Sequence, residues 1–278
     1  MPPVAQCMAT AVVGTATLIS LAGVPDAGPP SPLRASAEMN VDAWVELAKG
    51  GRVTSRHPRT NREIVFDGPG RFRACVYFEY PEEAWLAEGT LRSMPRQEET
   101  PSAQQWLITP SGALDYDGAE VEVRVTPRRT SVGVSTGTLD VWTGDRAATP
   151  APTVSMHEGS PPPGWTRLGA KQSITLSQSD ASPGEAAQTA IDRCLIEASA
   201  ARAIAAASTP ASSVGSRRAA ARQTARAACG VAALRVSQLP PSTAREAMVS
   251  KVSQGQVAWR SIASRSAEGG SGASDPRR

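Results

Sequence analysis

The sequence has few of the residues that carry catalytic chemistry. Only two histidines occur in 278 residues, His57 and His157, and both fall in segments predicted to be surface loops. The four cysteines lie far apart and form no CxxC pair, which argues against a zinc site because structural zinc needs clustered Cys and His ligands. SxxK, HExxH and phosphate-loop motifs are also missing, and the GxSxG match at 133–137, GVSTG, lies among predicted strands and not at a strand-to-helix turn. We therefore expect no catalytic residue, cofactor or metal.

Long apolar runs are missing as well. A membrane-spanning helix needs about 18 consecutive apolar residues, and the nearest segment, 8–24, is interrupted by Thr, Gly and Ser and lacks a preceding Lys or Arg. It is either a weak signal peptide or a first β-strand, VVGTATLIS, with the export signal upstream of the given start. We favour the strand. Lipid attachment at Cys7 is disfavoured because Gln6 stands where a small residue is expected, but it stays open.

Charge divides the chain into two parts. Residues 1–180 carry 16 Lys and Arg against 20 Asp and Glu, a balance of −4, whereas residues 181–278 carry 13 against 6, a balance of +7. The two parts are therefore expected to be different domains. The arginines of the second part lie within an alanine-rich helical pattern, which a solvated helix face explains more simply than a nucleic-acid surface. No nucleic acid is expected as a partner, and binding through these basic helices is kept as an alternative.

Residues 12–178 alternate short apolar segments with Gly, Pro and Asp turn signals. This pattern is typical of antiparallel strands. It predicts a mostly antiparallel β domain, either a rolled sheet or a sandwich, after an N-terminal segment of residues 1–11. Structural turns are predicted at Asp67-Gly68-Pro69-Gly70, ahead of a strand over 71–78, and at Pro110-Ser111-Gly112.

The tryptophans of this domain fall at predicted strand positions. Core packing is their first interpretation, and contact with a ligand or partner is the second. The candidates for partner contact are Trp44, Trp85 and Trp142.

From residue 183 the apolar residues recur every three or four positions, which predicts a three-helix bundle over 183–264 and a disordered Gly/Ser tail over 265–278. The fold class is therefore α+β with segregated domains. Cys194 and Cys229 lie on the first two helices, 35 residues apart, and can meet across a helical hairpin. A disulfide there would imply an oxidising compartment, and two ordinary buried thiols are the alternative.

A carboxylate pair is the remaining candidate for catalysis. The acidic residues cluster in two places, at Glu79, Glu82 and Glu83 and at Asp115, Asp117, Glu120 and Glu122. Glycosidases use two carboxylates that flank the scissile bond, so a hydrolase acting on an envelope glycan is the alternative function. On strands and turns such residues are more often solvated.

The order of the glycine-containing segments resembles the FecR-like domain. The residues that carry the resemblance are Leu33-Arg34-Ala35, Val45–Val53, Ile64–Phe72, Glu83–Gly89, Trp106–Gly112 and Val132–Trp142. In that family a glycine-rich element is followed by a GPG-type turn, an LxxG strand, a TPxG strand and a closing strand pair. The resemblance covers about 130 of the 278 residues.

The resemblance implies a mostly β domain of the bacterial periplasm or cell surface, found in regulators that relay signals between an outer-membrane receptor and a sigma factor. This chain departs from those regulators because it shows no transmembrane helix or sigma-binding segment ahead of the β domain, which disfavours sigma regulation. We expect a non-enzymatic exported module for binding, scaffolding or accessory signalling. Its partner would be another envelope protein or a glycan, bound by edge strands or loop aromatics. The oligomeric state is not indicated.

Overall fold

The computed structural model describes residues 7–20, 29–39, 43–57, 61–74, 76, 83–94, 104–143, 161, 164–178, 181–206 and 212–268. They divide into two compact units, Met1–Asp180 and Ala181–Arg278. The described part of the first unit is built from β-strands and that of the second from α-helices. The predicted fold class is confirmed.

Fifteen strands are formed by the described residues of the β unit. In chain order they are β1 (Cys7–Val13), β2 (Ala16–Ser20), β3 (Ser31–Pro32), β4 (Glu38–Met39), β5 (Ala43–Leu47), β6 (Arg52–Arg56), β7 (Glu63–Arg73), β8 (Glu83–Met94), β9 (Gln105–Thr109), β10 (Gly112–Tyr116), β11 (Glu120–Thr126), β12 (Arg129–Thr136), β13 (Leu139–Trp142), β14 (Trp165–Leu168) and β15 (Ser173–Ser177). The first strand already begins at Cys7, inside the segment expected to precede the sheet. The single strand expected over 12–21 is divided at Gly14, whose φ of 71° lies in the region that favours glycine.

The strands form one sheet that is antiparallel except for the parallel pair β8 and β9. The long strands β7 and β8 belong to two half-sheets. The first half-sheet has the order β4-β1-β6-β7-β8-β11-β12-β15, and the second has the order β3-β2-β5-β7-β8-β9-β10-β13-β14. Phe66 and Phe72, from the two ends of β7, stack with ring centroids 3.6 Å apart. The sheet therefore folds over along the middle of β7, and both half-sheets contribute to one hydrophobic core.

The predicted turn at Asp67–Gly70 is wrong, because these residues lie inside β7. Asp67 pairs with Thr90 and Arg71 pairs with Glu88, so three residues of β7 face a single residue of β8. Such a mismatch is a β-bulge, which bends the strand. A bulge and a turn both favour glycine and proline, and therefore the local sequence alone does not separate them.

The glycines of the bulge are required by the close approach of neighbouring backbone. A Cβ on Gly68 would lie 2.4 Å from the carbonyl oxygen of Ala48, and one on Gly70 would lie 2.5 Å from that of Glu88. The peptide between Gly68 and Pro69 is cis. The strand predicted over 71–78 is the continuation of β7 to Arg73, and residues 75 and 77–82 lie outside the described residues.

A two-residue turn, Pro110 and Ser111, connects β9 to β10. The hydroxyl of Thr109 closes it, since it donates to the carbonyl oxygen of Gly112 at 2.9 Å and accepts from the Gly112 N–H at 3.2 Å. A Cβ on Gly112 would lie 2.3 Å from the carbonyl oxygen of Trp142 on β13, so this position also needs glycine.

Three helices form the second unit: α1 (Pro183–Ala206), α2 (Ser212–Ser237) and α3 (Thr243–Glu268). A capping box begins α1, because the Ser182 Oγ accepts from the N–H of Glu185 while the Glu185 carboxylate accepts from the N–H of Ser182. The last helix continues past residue 264, into the segment expected to be a disordered tail; residues 269–278 of that tail lie outside the described residues. A disulfide joins Cys194 of α1 to Cys229 of α2.

Candidate functional site

The five tryptophans of the β unit share one face of the second half-sheet. Residues paired across neighbouring strands point to the same face, and one cross-strand row runs Arg73, Trp85, Ile108, Ala113, Trp142 and Trp165. All five rings are 6% exposed or less: Trp44, Trp85, Trp106, Trp142 and Trp165. The burial of these rings agrees with core packing, which is their first interpretation, and does not support partner contact at Trp44, Trp85 and Trp142.

Arginines are interleaved with these rings. The guanidinium carbon of Arg73 lies 4.7 Å from the ring centroid of Trp85 and 5.8 Å from that of Trp44, and that of Arg71 lies 4.7 Å above Trp44. A cation above an aromatic face is attracted by the ring quadrupole, and the attraction is stronger when water is excluded. The aromatic face is thus a packed structural layer.

Two of the predicted carboxylates do come together in register. Glu83 of β8 and Asp115 of β10 both pair with Trp106 of the intervening β9, so they lie two strand spacings apart, roughly 9.6 Å. Both are buried. Glu83 accepts from the Trp85 indole N–H at 2.9 Å, and the two oxygens of Asp115 accept from the Gln104 amide at 2.9 and 2.7 Å.

The other predicted carboxylates are not part of this pair. Asp117 and Glu122 are exposed and Glu120 is half-buried, while Glu79 and Glu82 lie outside the described residues.

A small pocket lies beside Glu83. Its polar lining includes Ser55, His57, Arg62 and Gln105, all buried. The enclosed room suits about one ordered water molecule, whereas small-molecule sites usually offer roughly 300 Å³ or more. His57 is therefore a buried residue and not the surface residue that was expected.

Within the ranges that the structure describes, no three side chains among His, Cys, Asp and Glu are grouped so as to hold a metal ion.

Over the same ranges, none of the helices has an apolar stretch long enough to cross a bilayer. His157 lies outside these ranges.

An Asp–Arg cluster lies on the outer face of the first half-sheet, next to the bulge. Asp67 accepts from Arg52 Nε at 2.5 Å and from Arg92 Nη2. Partial burial raises the pKa of Asp67, but the hydrogen bonds and charges of the two arginines outweigh it, so its pKa is lowered. This cluster ties β6, β7 and β8 together at the point where the sheet bends.

The edge strand β15 is the candidate binding site. Among the described residues it pairs with β12 alone, over five consecutive positions without a register shift. Ile174 and Leu176 point into the core, and Ser173, Thr175 and Ser177 are exposed. Natural edge strands are usually protected by a charge, a proline or a bulge, and β15 has none of these.

The remaining edges are less suited to pairing. Strands β3 and β4 have two residues each. In β14, Arg167 makes two hydrogen bonds to the Asp140 carboxylate of β13, at 2.7 and 2.8 Å, which places a charged pair on this edge strand and its neighbour. The alternation of residues 173–177 predicts a strand, but its edge position depends on the topology of the whole sheet.

No family model matches the chain, and no curated protein matches it. Two crystal structures of a "putative anti-sigma factor" from Parabacteroides distasonis were found, with sequence identities of 15% and 12%. Each match covers 50% of this chain and 57% or 56% of the solved chain, with a TM-score of 0.36. At this level of similarity the matches carry no argument about fold or function.

Proposed function

We propose that this chain is a non-catalytic binding module of the bacterial cell envelope, in which a FecR-like β unit binds an extended segment of a partner protein at the edge of β15. The observation that carries the proposal is that β15, within the part of the chain that the structure describes, pairs on one side with β12 and contains no charge, proline or bulge of its own. A peptide that adds a strand gains main-chain hydrogen bonds along the edge, and its alternate side chains determine specificity.

The chemistry of β15 indicates which segment would fit. Side chains of an added strand lie beside those of β15 on each face of the sheet. Positions next to Ile174 and Leu176 extend the core and favour apolar residues, whereas positions next to Ser173 and Thr175 face solvent and favour polar ones. The partner segment is thus about five residues long, with alternating polar and apolar side chains and no proline.

The cysteines support an exported protein. Cys194 and Cys229 are bonded to each other, and Cys7 is also disulfide-bonded. Disulfides persist mainly in oxidising compartments, which supports the proposal of a protein of the periplasm or the cell surface. The Cys7 sulfur is buried and already disulfide-bonded, so it is not available for a lipid anchor, and we do not propose one.

The two alternative functions have weaker support. A glycan hydrolase would need Glu83 and Asp115 to reach a sugar, but both are buried and hydrogen-bonded to protein groups. For nucleic-acid binding, the helical arginines are partly used internally: Arg226 is buried and Arg235 donates to the carbonyl oxygen of Ala186 at 2.8 Å.

The proposal is tested with a displayed library of nine-residue peptides. We expect selection of sequences with period-two alternation, and we expect Thr175→Lys to weaken their binding about tenfold, because a charge on an edge strand opposes pairing. Ser135→Lys, at an exposed position of β12 beyond its pairing with β15, is the matched control and should bind as the unmodified chain does. Failure to select any peptide, or equal binding by both variants, would contradict the proposal.

A further inference from the structure

The disulfide of the helical unit is covered by the third helix. Cys194 and Cys229 are 0% and 1% exposed. A Cβ on Gly255 of α3 would lie 2.4 Å from the Sγ of Cys194 and 3.3 Å from that of Cys229. Only a residue without a side chain can therefore pack at this point, and α3 is in direct contact with the sulfur atoms.

A narrow stripe of α3 makes this contact. Over residues 243–258, whose side chains are described, Val252 is 4% exposed and Gly255 is buried, one turn apart on the same face. Met248 is half-buried on the turn before them. In contrast, Val249 is 46% and Val257 is 64% exposed. Because so few residues are buried, the docking of α3 depends strongly on what lies beneath Gly255.

We propose that the docking of α3 and the Cys194–Cys229 disulfide are coupled, so that α3 is a redox-controlled element. The docked helix shields the sulfurs from attack, and reduction releases the helix. The inference is independent of the proposed binding at β15. The coupling is reciprocal. The factor by which the disulfide raises the equilibrium constant for docking of α3 is also the factor by which docking raises the equilibrium constant for formation of the disulfide.

The reductant is an external dithiol. Its thiolate attacks one sulfur of the protein disulfide and forms a mixed disulfide, and its second thiol then displaces the protein sulfur. Two electrons and two protons reach the protein, which ends with two thiols, and the dithiol ends as a disulfide. The two protein sulfurs then separate to a nonbonded distance. With Gly255 already in contact with one of them, the space for this separation comes from displacement of α3, because packed interiors hold few voids.

The first experiment measures reduction of the full chain by dithiothreitol. Aliquots are alkylated over time and the masses of the peptides containing Cys194 and Cys229 are followed. Val252→Ala, which removes buried contacts of α3, is expected to accelerate reduction at least fivefold. Val257→Ala, on the exposed side of the same helix, is the matched control and should remain within twofold of the unmodified chain. Equal rates for the two variants would overturn the proposal.

The second experiment separates release of α3 from unfolding of the whole unit. Amide hydrogen exchange is compared in the oxidised and the reduced full chain. We expect protection of residues 245–258 to fall at least tenfold on reduction, while residues 187–201 of α1 change less than threefold. Retained protection in α3, or equal loss in both helices, would overturn the proposal. The double variant Cys194→Ala/Cys229→Ala has no disulfide to reduce, so its α3 protection should be the same with and without dithiothreitol.

Discussion

Substitution of Gly70 by alanine tests the bend of the sheet most sharply. The new Cβ would lie 2.5 Å from the carbonyl oxygen of Glu88 and 2.9 Å from the Cα of Gly89. Ordinary contact begins near 3.4 Å, so β7 and β8 must separate by about 0.9 Å where they cross the bend. Both obstacles are backbone atoms, which cannot rotate away as a side chain does.

We expect Gly70→Ala to destabilise the β unit by about 1–3 kcal/mol, the usual cost of overpacking, with the value near the upper end because backbone must move. Gly133→Ala is the matched control. Gly133 also lies within a strand, but nothing stands within 4 Å of its Cβ position. Alanine there should stabilise by about 0.4–1 kcal/mol, since it restricts the unfolded chain.

The assay is urea unfolding of the full chain followed by tryptophan fluorescence. Five of the six tryptophans belong to the β unit, and all five are buried, so the signal reports mainly on this unit even if the helices unfold separately. The midpoint should fall for Gly70→Ala and remain or rise for Gly133→Ala. If the two variants differ by less than 0.5 kcal/mol, the bulge does not depend on the close approach of β8, and the account of the bend is refuted.

Three further predictions concern side chains of the two units. Arg73→Ala should destabilise the β unit by about 1–3 kcal/mol in the same assay, because Arg73 is 5% exposed and stacks on two tryptophans; an unchanged midpoint would contradict the structural role of the aromatic face. Asp67 has a lowered pKa in the folded protein, so its stabilising effect is present above its unfolded pKa, near 3.8, and is lost as the pH falls through the lower folded value. Asp67→Asn should therefore be less stable than the unmodified chain at pH 7 and converge with it in acid; a constant difference across pH would contradict this. Gly255→Ala should lower the thermal midpoint of the helical signal in circular dichroism, whereas Gly184→Ala, where nothing stands within 4 Å, should not.

The tryptophans illustrate what alternation along a strand can and cannot predict. The period of two placed these rings on strands and allowed core packing as well as partner contact. Which of the two applies depends on what covers that face of the sheet. That face is covered by groups remote in sequence, such as Arg73, which stacks on Trp44. A local sequence pattern contains no information about such contacts.

The sequence predicts a turn at Gly68 and Gly70, where the structure has a bulge inside β7. Local sequence predicts where the chain needs glycine, because glycine alone permits a close approach of backbone. The partners that approach are Ala48 on one side and Glu88 on the other, about twenty residues away in each direction. Strand pairing at that distance distinguishes a bulge from a turn, and it follows from the topology of the whole sheet.

The helical unit shows a similar limit. Spacing placed Cys194 and Cys229 on neighbouring helices, and the structure joins them. Gly255 was not singled out, because a glycine within a helix is ordinarily interpreted as a loss of helix propensity. Its role becomes visible only when the third helix is placed against the sulfur atoms.

The most direct test of binding at the sheet edge is amide hydrogen exchange of the full chain with and without a peptide selected from the library. If the peptide adds a strand to β15, amides within Ser173–Ser177 should gain protection on binding, and Thr175→Lys should abolish that gain. Protection that appears at β14 or in the helices, with β15 unchanged, would contradict the account.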